Sequence, residues 1–156
     1  MEEDKVSRGD YLRLEFPSHA DNIGVARLAV AAFASRLPFT VSEVQHDLRV
    51  AVSETVTNTV VHAYPDHPGR VVVEARAEGG RLLVSVEDWG RGFDPGAASE
   101  PDPEEERMGI GLQIVRACMD RVVIDSRPGR GTRVVMEKTP SGAASEGAAV
   151  ADGSGG

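Results

Sequence analysis

The stretch SETVTNTVVHAY, residues 53–64, sets Glu54, Asn58 and His62 at four-residue spacing. On a helix that spacing stacks the three on one face. Leu48, Val52 and Val56 form a different, apolar stripe, which turns to the core. A carboxylate and a carboxamide so placed can hold a divalent cation through oxygen and position a nucleophile, because Mg2+ prefers a few oxygen ligands completed by water and phosphate. Read alone, the face is better explained as solvated helix surface. The neighbouring segments change the odds.

Upstream, YLRLEFP alternates Leu12, Leu14 and Phe16 with polar residues, as a half-buried strand does. Ser18 and Asp21 have capping-box spacing and open a helix expected to run to about Leu37, with Ile23, Val25, Leu28, Ala32 and Phe33 as its apolar residues. Thr40 and Glu43 are a second capping pair, and they open the helix that carries the quoted stretch. Downstream of the turn YPDHPGR, the runs VVVEARA and LLVSVED are split by EGG and predict an antiparallel hairpin. DWGRGF follows, then an acidic loop expected over Pro95–Glu106. MGIGLQIVRACMD predicts a helix opened by Gly109 and Gly111, with Ile110, Ile114, Val115, Cys118 and Met119 available to the core. Its free N–H groups would make an anion site. Two strands, VVIDS and TRVVMEK, are joined by RPGRG. The sum is an α+β two-layer sandwich, with helices on one face of a mixed, mostly antiparallel sheet.

The chain has 156 residues, 40% of them hydrophobic, which is enough for one core and too little for two. Three regions are expected: a flexible N-terminus over 1–9, one folded domain over 10–138, and a disordered tail over 139–156 rich in Gly, Ala and Ser. The net charge of −8 argues against a direct grip on nucleic acid. The one cysteine, Cys118, excludes an internal disulfide and fits a reducing compartment. No leader and no membrane-length apolar run is present, so a cytoplasmic protein without membrane contact is expected.

DxGxG at Asp88, Gly90 and Gly92 is a weak signal alone, and so is GxG at Gly109 and Gly111. Their order is specific: a polar helix, DxGxG after a strand, a variable loop, GxG on a helix, then Gly131-Thr132 before the last strand. In that order the sequence resembles the GHKL superfamily of ATP-binding proteins, which includes gyrase B, the histidine kinases and the MutL proteins. SETVTNTVVHAY, DNIGVARLAVAAF, ERMGIGL and CMDRV look most like the bacterial anti-sigma factors that are also serine kinases, of the sporulation anti-sigma F and stress-response switch kinase type. The resemblance covers roughly residues 10–138.

The resemblance implies ATP and Mg2+ as cofactors and assigns a role to each matching position. Asn58 would ligate the Mg2+ that bridges the phosphates. Glu54 would be the base for the attacking hydroxyl, and Arg107, at the end of the lid, would neutralise the γ-phosphate. Asp88 would accept a hydrogen from the adenine amino group, with Thr132 beside it. Gly90 and Gly92 would line the nucleotide pocket, Gly109 and Gly111 the phosphates. Arg27 would touch partner proteins. The partners implied are a sigma factor, an anti-anti-sigma protein of the STAS type and a second copy of the chain in a homodimer. His62 and Tyr64 receive no chemistry, only helix-end packing, and Trp89 is placed at the pocket rim. The lid departs from the pattern: Asp94, Glu100, Asp102, Glu104, Glu105 and Glu106 precede Arg107.

Two other readings compete with an anti-sigma factor that phosphorylates its antagonist. One is an ATP-binding module that holds a partner without catalysis, and Glu54 speaks against it. The other is a histidine-kinase-type catalytic domain acting in trans. None of the four histidines precedes the candidate site on a separate helix pair, which disfavours that reading.

Overall fold

The computed structural model describes residues 11–95 and 103–142. The N-terminal segment 1–9, residues 96–102 of the acidic loop and residues 143–156 of the tail lie outside the described residues. Five strands, β1 (Tyr11–Pro17), β2 (Arg70–Glu78), β3 (Arg81–Asp88), β4 (Arg121–Arg127) and β5 (Gly131–Lys138), form one sheet in the order β1-β2-β3-β5-β4. Every pairing is antiparallel, so the sheet expected to be mixed is uniform. The tight hairpins account for two of the pairings. In the first, Gly79 and Gly80 both take positive φ, as a two-residue turn matched to strand twist requires.

One face of the sheet is covered by α1 (Asp21–Ala34), α2 (Arg49–Asn58) and α3 (Pro103–Cys118). Helix α2 continues at both ends into π-helical segments, Glu43–Leu48 and Thr59–Ala63. The core lies between the layers and joins Val44, Leu48, Val52 and Val56 of the central helix to Val73, Val84, Val86 and Met136 of the sheet. The opposite face carries cross-strand ion pairs, Arg13 with Glu74, Arg70 with Glu15, and Arg81 with Glu137 at 2.6 Å. These pairs are solvated and each contributes about 1 kcal/mol or less.

The two expected capping pairs behave differently. Thr40 and Glu43 form a reciprocal box: the Glu43 amide donates to Thr40 Oγ1 at 3.1 Å, and the Thr40 amide donates to Glu43 Oε1 at 2.8 Å. Ser18 caps nothing. It is buried, and it accepts the Gly69 amide hydrogen at 3.0 Å, tying the end of β1 to the start of β2. The apolar stripe read on α1 also needs correction, since Val25 and Leu28 are 54% and 58% exposed while Ala26, Val30, Phe33 and Ala34 enter the core. With apolar residues on both of its sides, that helix cannot announce its buried face by periodicity.

Helix α3 begins at Pro103, not at the glycines, so the loop expected to reach Glu106 is helical over its last residues. Proline suits a first helical position, and glutamates favour the positive end of the helix dipole. Val115 and Met119 pack in the core as expected, whereas Ile110 and Ile114 face outward. The C-terminal end of α3 is capped by buried Lys138, whose Nζ donates to the Cys118 carbonyl at 2.8 Å and lies 3.4 Å from Asp47.

The Thr40 box predicts that Thr40→Ala lowers unfolding free energy by about 1 kcal/mol, read by urea denaturation. Ser18→Ala should instead loosen the β1–β2 junction, seen as faster amide exchange at Gly69.

Candidate functional site

A cavity of about 480 Å3 opens between the central helix and the sheet. Thr55, Asn58, Thr59 and His62 line it from the helix, Asp88, Gly92 and Phe93 from the end of β3 and its turn, Met108, Gly109 and Leu112 from α3, and Thr132 and Val134 from β5. The mixture of apolar walls with a few convergent polar groups is what a small-molecule site requires.

Asp88 is 4% exposed. The Gly90 amide donates to its Oδ1 at 3.0 Å, and the Thr59 hydroxyl lies 3.4 Å from its Oδ2. Burial pushes the carboxyl above the ordinary aspartate range, and the Gly90 amide, the Thr132 amide and the Thr59 hydroxyl pull partly the other way.

The glycines of DWGRGF are required by backbone packing. A Cβ at Gly90 would stand 2.2 Å from the Ala63 carbonyl oxygen, and at Gly92, where φ is +61°, 2.1 Å from that of Arg127. The turn is therefore wedged between the end of the helix and the β4–β5 hairpin, an arrangement closed by the Arg91 amide bonding Ala63 at 2.9 Å and the Gly129 amide bonding Arg91 at 2.7 Å. Gly90 is not among the lining residues; Gly92 is.

At the other end, Asn58 lines the cavity, and its Nδ2 is buried without a hydrogen-bond partner among the described residues. Gly111 does not line the cavity. It is where α3 meets the polar face of α2: a Cβ there would lie 3.0 Å from Glu54 Oε2 and 3.4 Å from Asn58 Oδ1. Because Gly109 and Gly111 lie inside α3, the free N–H groups expected at a helix start are not at these positions. No cluster of three His, Cys, Asp or Glu side chains suited to a metal occurs among the described residues. Asn58 Oδ1, on the same carboxamide, is a hard oxygen of the kind a Mg2+ takes alongside phosphate and water, and the Nδ2 donor suits a phosphate oxygen.

Arg107 is exposed on α3 and is not among the lining residues. Arg27 lies outside the cavity, between α1 and α2, where Nη1 donates to Ser53 Oγ at 3.4 Å and Nε is buried without a partner among the described residues. Tyr64 packs at the helix end as expected: its hydroxyl donates to the Arg70 carbonyl at 2.6 Å and accepts the Trp89 amide at 2.8 Å. Trp89 is half exposed beneath the Arg70 guanidinium, 4.5 Å from its ring centre, and does not line the cavity. His62, expected only to pack, reaches the wall on a π-helical turn. Thr55, Thr59 and Ser126 were not foreseen.

Residues 16–138 match the family described as the histidine kinase-like ATPase domain. The chain belongs to this family. Among curated relatives of the ATPase domain, the anti-sigma F factor of Clostridium kluyveri is 39% identical over 132 residues, covering 81% of this chain and 92% of the relative. The anti-sigma F factor of Thermoanaerobacter sp. is 38% identical over the same shares. Among solved structures, the RsbU and RsbW domains of a Mycobacterium tuberculosis protein superpose with a TM-score of 0.62 at 21% identity, covering 83% of this chain and 31% of that one. The histidine kinase domain of a blue-light activated kinase from Erythrobacter litoralis gives 0.53 at 23% identity, over 81% and 62%. Both likenesses are of fold. No helix among the described residues is long and apolar enough to cross a membrane.

The raised pKa of Asp88 has a sign that can be measured. Between the unfolded and folded values the native ATPase domain holds more protons than the unfolded chain, so stability falls as pH rises through that window. Wild type should therefore gain stability relative to Asp88→Asn as pH is lowered from neutral into the window, in urea denaturation at matched pH. The opposite slope would mean that the three hydrogen bonds outweigh burial.

Proposed function

We propose that this protein is an anti-sigma factor that binds Mg-ATP in the cavity and, as a serine kinase, phosphorylates the anti-anti-sigma protein that opposes it. The observation that carries the reading is the pairing of a buried, hydrogen-bonded Asp88 at one end of the cavity with the Asn58 carboxamide beside Glu54 at the other, whose Nδ2 donor has no partner among the described residues and whose Oδ1 is an oxygen ligand. A fixed acceptor at one end suits the amino edge of adenine, and a hard oxygen ligand at the other suits a phosphate-bound cation. The relatives named anti-sigma F factor, matched over nearly their whole length, support the regulatory role.

When bound, Mg2+ would neutralise charge between the phosphates, and Asn58 is the residue that would hold it. Glu54 would accept the proton of a serine hydroxyl as that oxygen bonds to the γ-phosphorus and the bond to the β-phosphate bridge breaks, leaving phosphoserine and ADP. Arg107, exposed near the start of α3, would reach the developing charge. Gly111 lets α3 lie close to these groups, and Gly109 lines the cavity where the phosphates would lie. Arg27 would meet the sigma factor or its antagonist on the helical side, in the homodimeric form. Binding of sigma would be relieved when the unphosphorylated antagonist competes for the protein, and restored when its serine is phosphorylated.

Calorimetry should find Mg2+-dependent ATP binding in wild type, and Asn58→Ala should lose both that dependence and most of the affinity; unchanged binding removes Asn58 from the site. Glu54→Gln should leave the ATP dissociation constant nearly intact and slow single-turnover transfer to the antagonist's serine by about 10²- to 10⁴-fold, the usual worth of a general base. Transfer at the wild-type rate would reduce Glu54 to a packing neighbour of Gly111.

A further inference from the structure

Ser126 of β4 has no part in the functions assigned above, yet it is buried and makes three polar contacts. Strand register sets it opposite Thr132, and Thr132 opposite Asp88, so the three form a polar row across β4, β5 and β3. Ser126 Oγ accepts the Phe93 amide hydrogen at 2.9 Å, and lies 2.7 Å from Thr132 Oγ1 and 3.3 Å from the Gly131 carbonyl oxygen. A serine hydroxyl offers one hydrogen and two lone pairs. The Phe93 N–H occupies one lone pair, and a carbonyl can only accept. A single arrangement satisfies all three contacts: Ser126 donates to Gly131, and Thr132 donates to Ser126. Thr132 lines the cavity and Ser126 does not. With its hydrogen committed to Ser126, Thr132 turns only lone pairs toward a ligand.

We propose that Ser126 is a positioning residue that fixes the Thr132 hydroxyl as an acceptor, and thereby sets the cavity's preference for a base edge carrying an amino donor over one carrying a carbonyl. The identity of the ligand rests on the nucleotide reading above; the Ser126–Thr132 bond does not. Asp88 shares the task from the adjacent register position. Its oxygens are already engaged by the Gly90 and Thr132 amides and neighboured by the Thr59 hydroxyl, so an acceptor held beside it strengthens the discrimination.

ATP and inosine triphosphate, which has a carbonyl where ATP has the amino group, are compared by calorimetry. In Ser126→Ala the Thr132 hydrogen loses its acceptor and can turn to the cavity, so the ATP-to-inosine-triphosphate affinity ratio is expected to fall about tenfold, with the inosine nucleotide bound more tightly than by wild type. Adding Thr132→Val should cancel that gain, and Thr132→Ser alone should keep the wild-type ratio. Equal weakening of both nucleotides in Ser126→Ala would reduce Ser126 to a structural role and overturn the proposal. If that variant does not fold, Ser126→Cys, a poor acceptor of similar size, carries the same expectations. Without nucleotide, a cycle of Ser126→Ala and Thr132→Val on urea unfolding should show coupling of about fivefold or more in the unfolding constant; additive effects overturn the bond. Wild-type protein that shows the coupling but binds neither nucleotide would overturn the nucleotide reading and the base preference together, a result distinct from nucleotide binding with unchanged selectivity in Ser126→Ala.

Discussion

A carboxyl group buried at the seam between a sheet and its helices must be hydrogen-bonded, and much of this structure is arranged around that requirement at Asp88. Its partners come from three places: Gly90 in the following turn, Thr132 on β5 and Thr59 at the end of the central helix. Bringing backbone N–H groups that close forces other backbone together. A Cβ at Gly131, where φ is +103°, would stand 2.1 Å from the Asp88 carbonyl oxygen, and the glycines of DWGRGF are squeezed in the same way between Ala63 and Arg127. These glycines are conditions for the carboxyl to sit where it does.

The opposite end of the cavity is built differently. There the polar groups hang on α2 and face α3, and close approach depends on Gly111, which brings one helix against Glu54 and Asn58 of the other. Asn58 Nδ2 has no hydrogen-bond partner among the described residues. At its far end α3 is held firmly, by Lys138 on the Cys118 carbonyl and by the Thr139 amide on Asp120 Oδ2 at 2.7 Å. The helix is thus anchored near β4, and Gly111 is where a change in its position would reach Glu54 and Asn58.

Much of the fold was legible because its strands alternate and its hairpins carry glycine where the turn needs positive φ, as at Gly79 and Gly80. The Thr40–Glu43 box was readable for the same local reason. Ser18 shows the limit: capping spacing is local, but the partner that claims its hydroxyl is Gly69, brought near by the β1–β2 pairing. The start of α3 was missed because a glycine pair looked like a helix opening, although Pro103 and the glutamates after it are good first-turn residues. Asn58, Asp88, Gly92, Gly109 and Thr132 could be gathered from sequence order by family resemblance, and the cavity wall contains them. Gly90 and Gly111 stand behind or beside that wall for packing reasons. Nothing local marks Ser126, a serine at a strand end whose partners are set by register. Nor does four-residue spacing reveal that His62 rides on a π-helical turn.

The two ends of the cavity therefore suit different tasks. Specificity calls for groups whose geometry does not yield to the wrong ligand, and the Asp88–Thr132–Ser126 row has that character, because the Asp88 carboxyl and the Ser126 hydroxyl are each bonded from at least two other segments and Ser126 in turn holds the Thr132 hydroxyl. The groups proposed for transfer, Glu54 and Asn58, sit instead on a helix and meet α3 at Gly111, so their surroundings depend on how two helices pack. Moving the selective row onto the helices would give up the register that aligns it. The antiparallel sheet thus fixes the polar row by strand register, and the helical layer sets the Glu54–Asn58 face by packing.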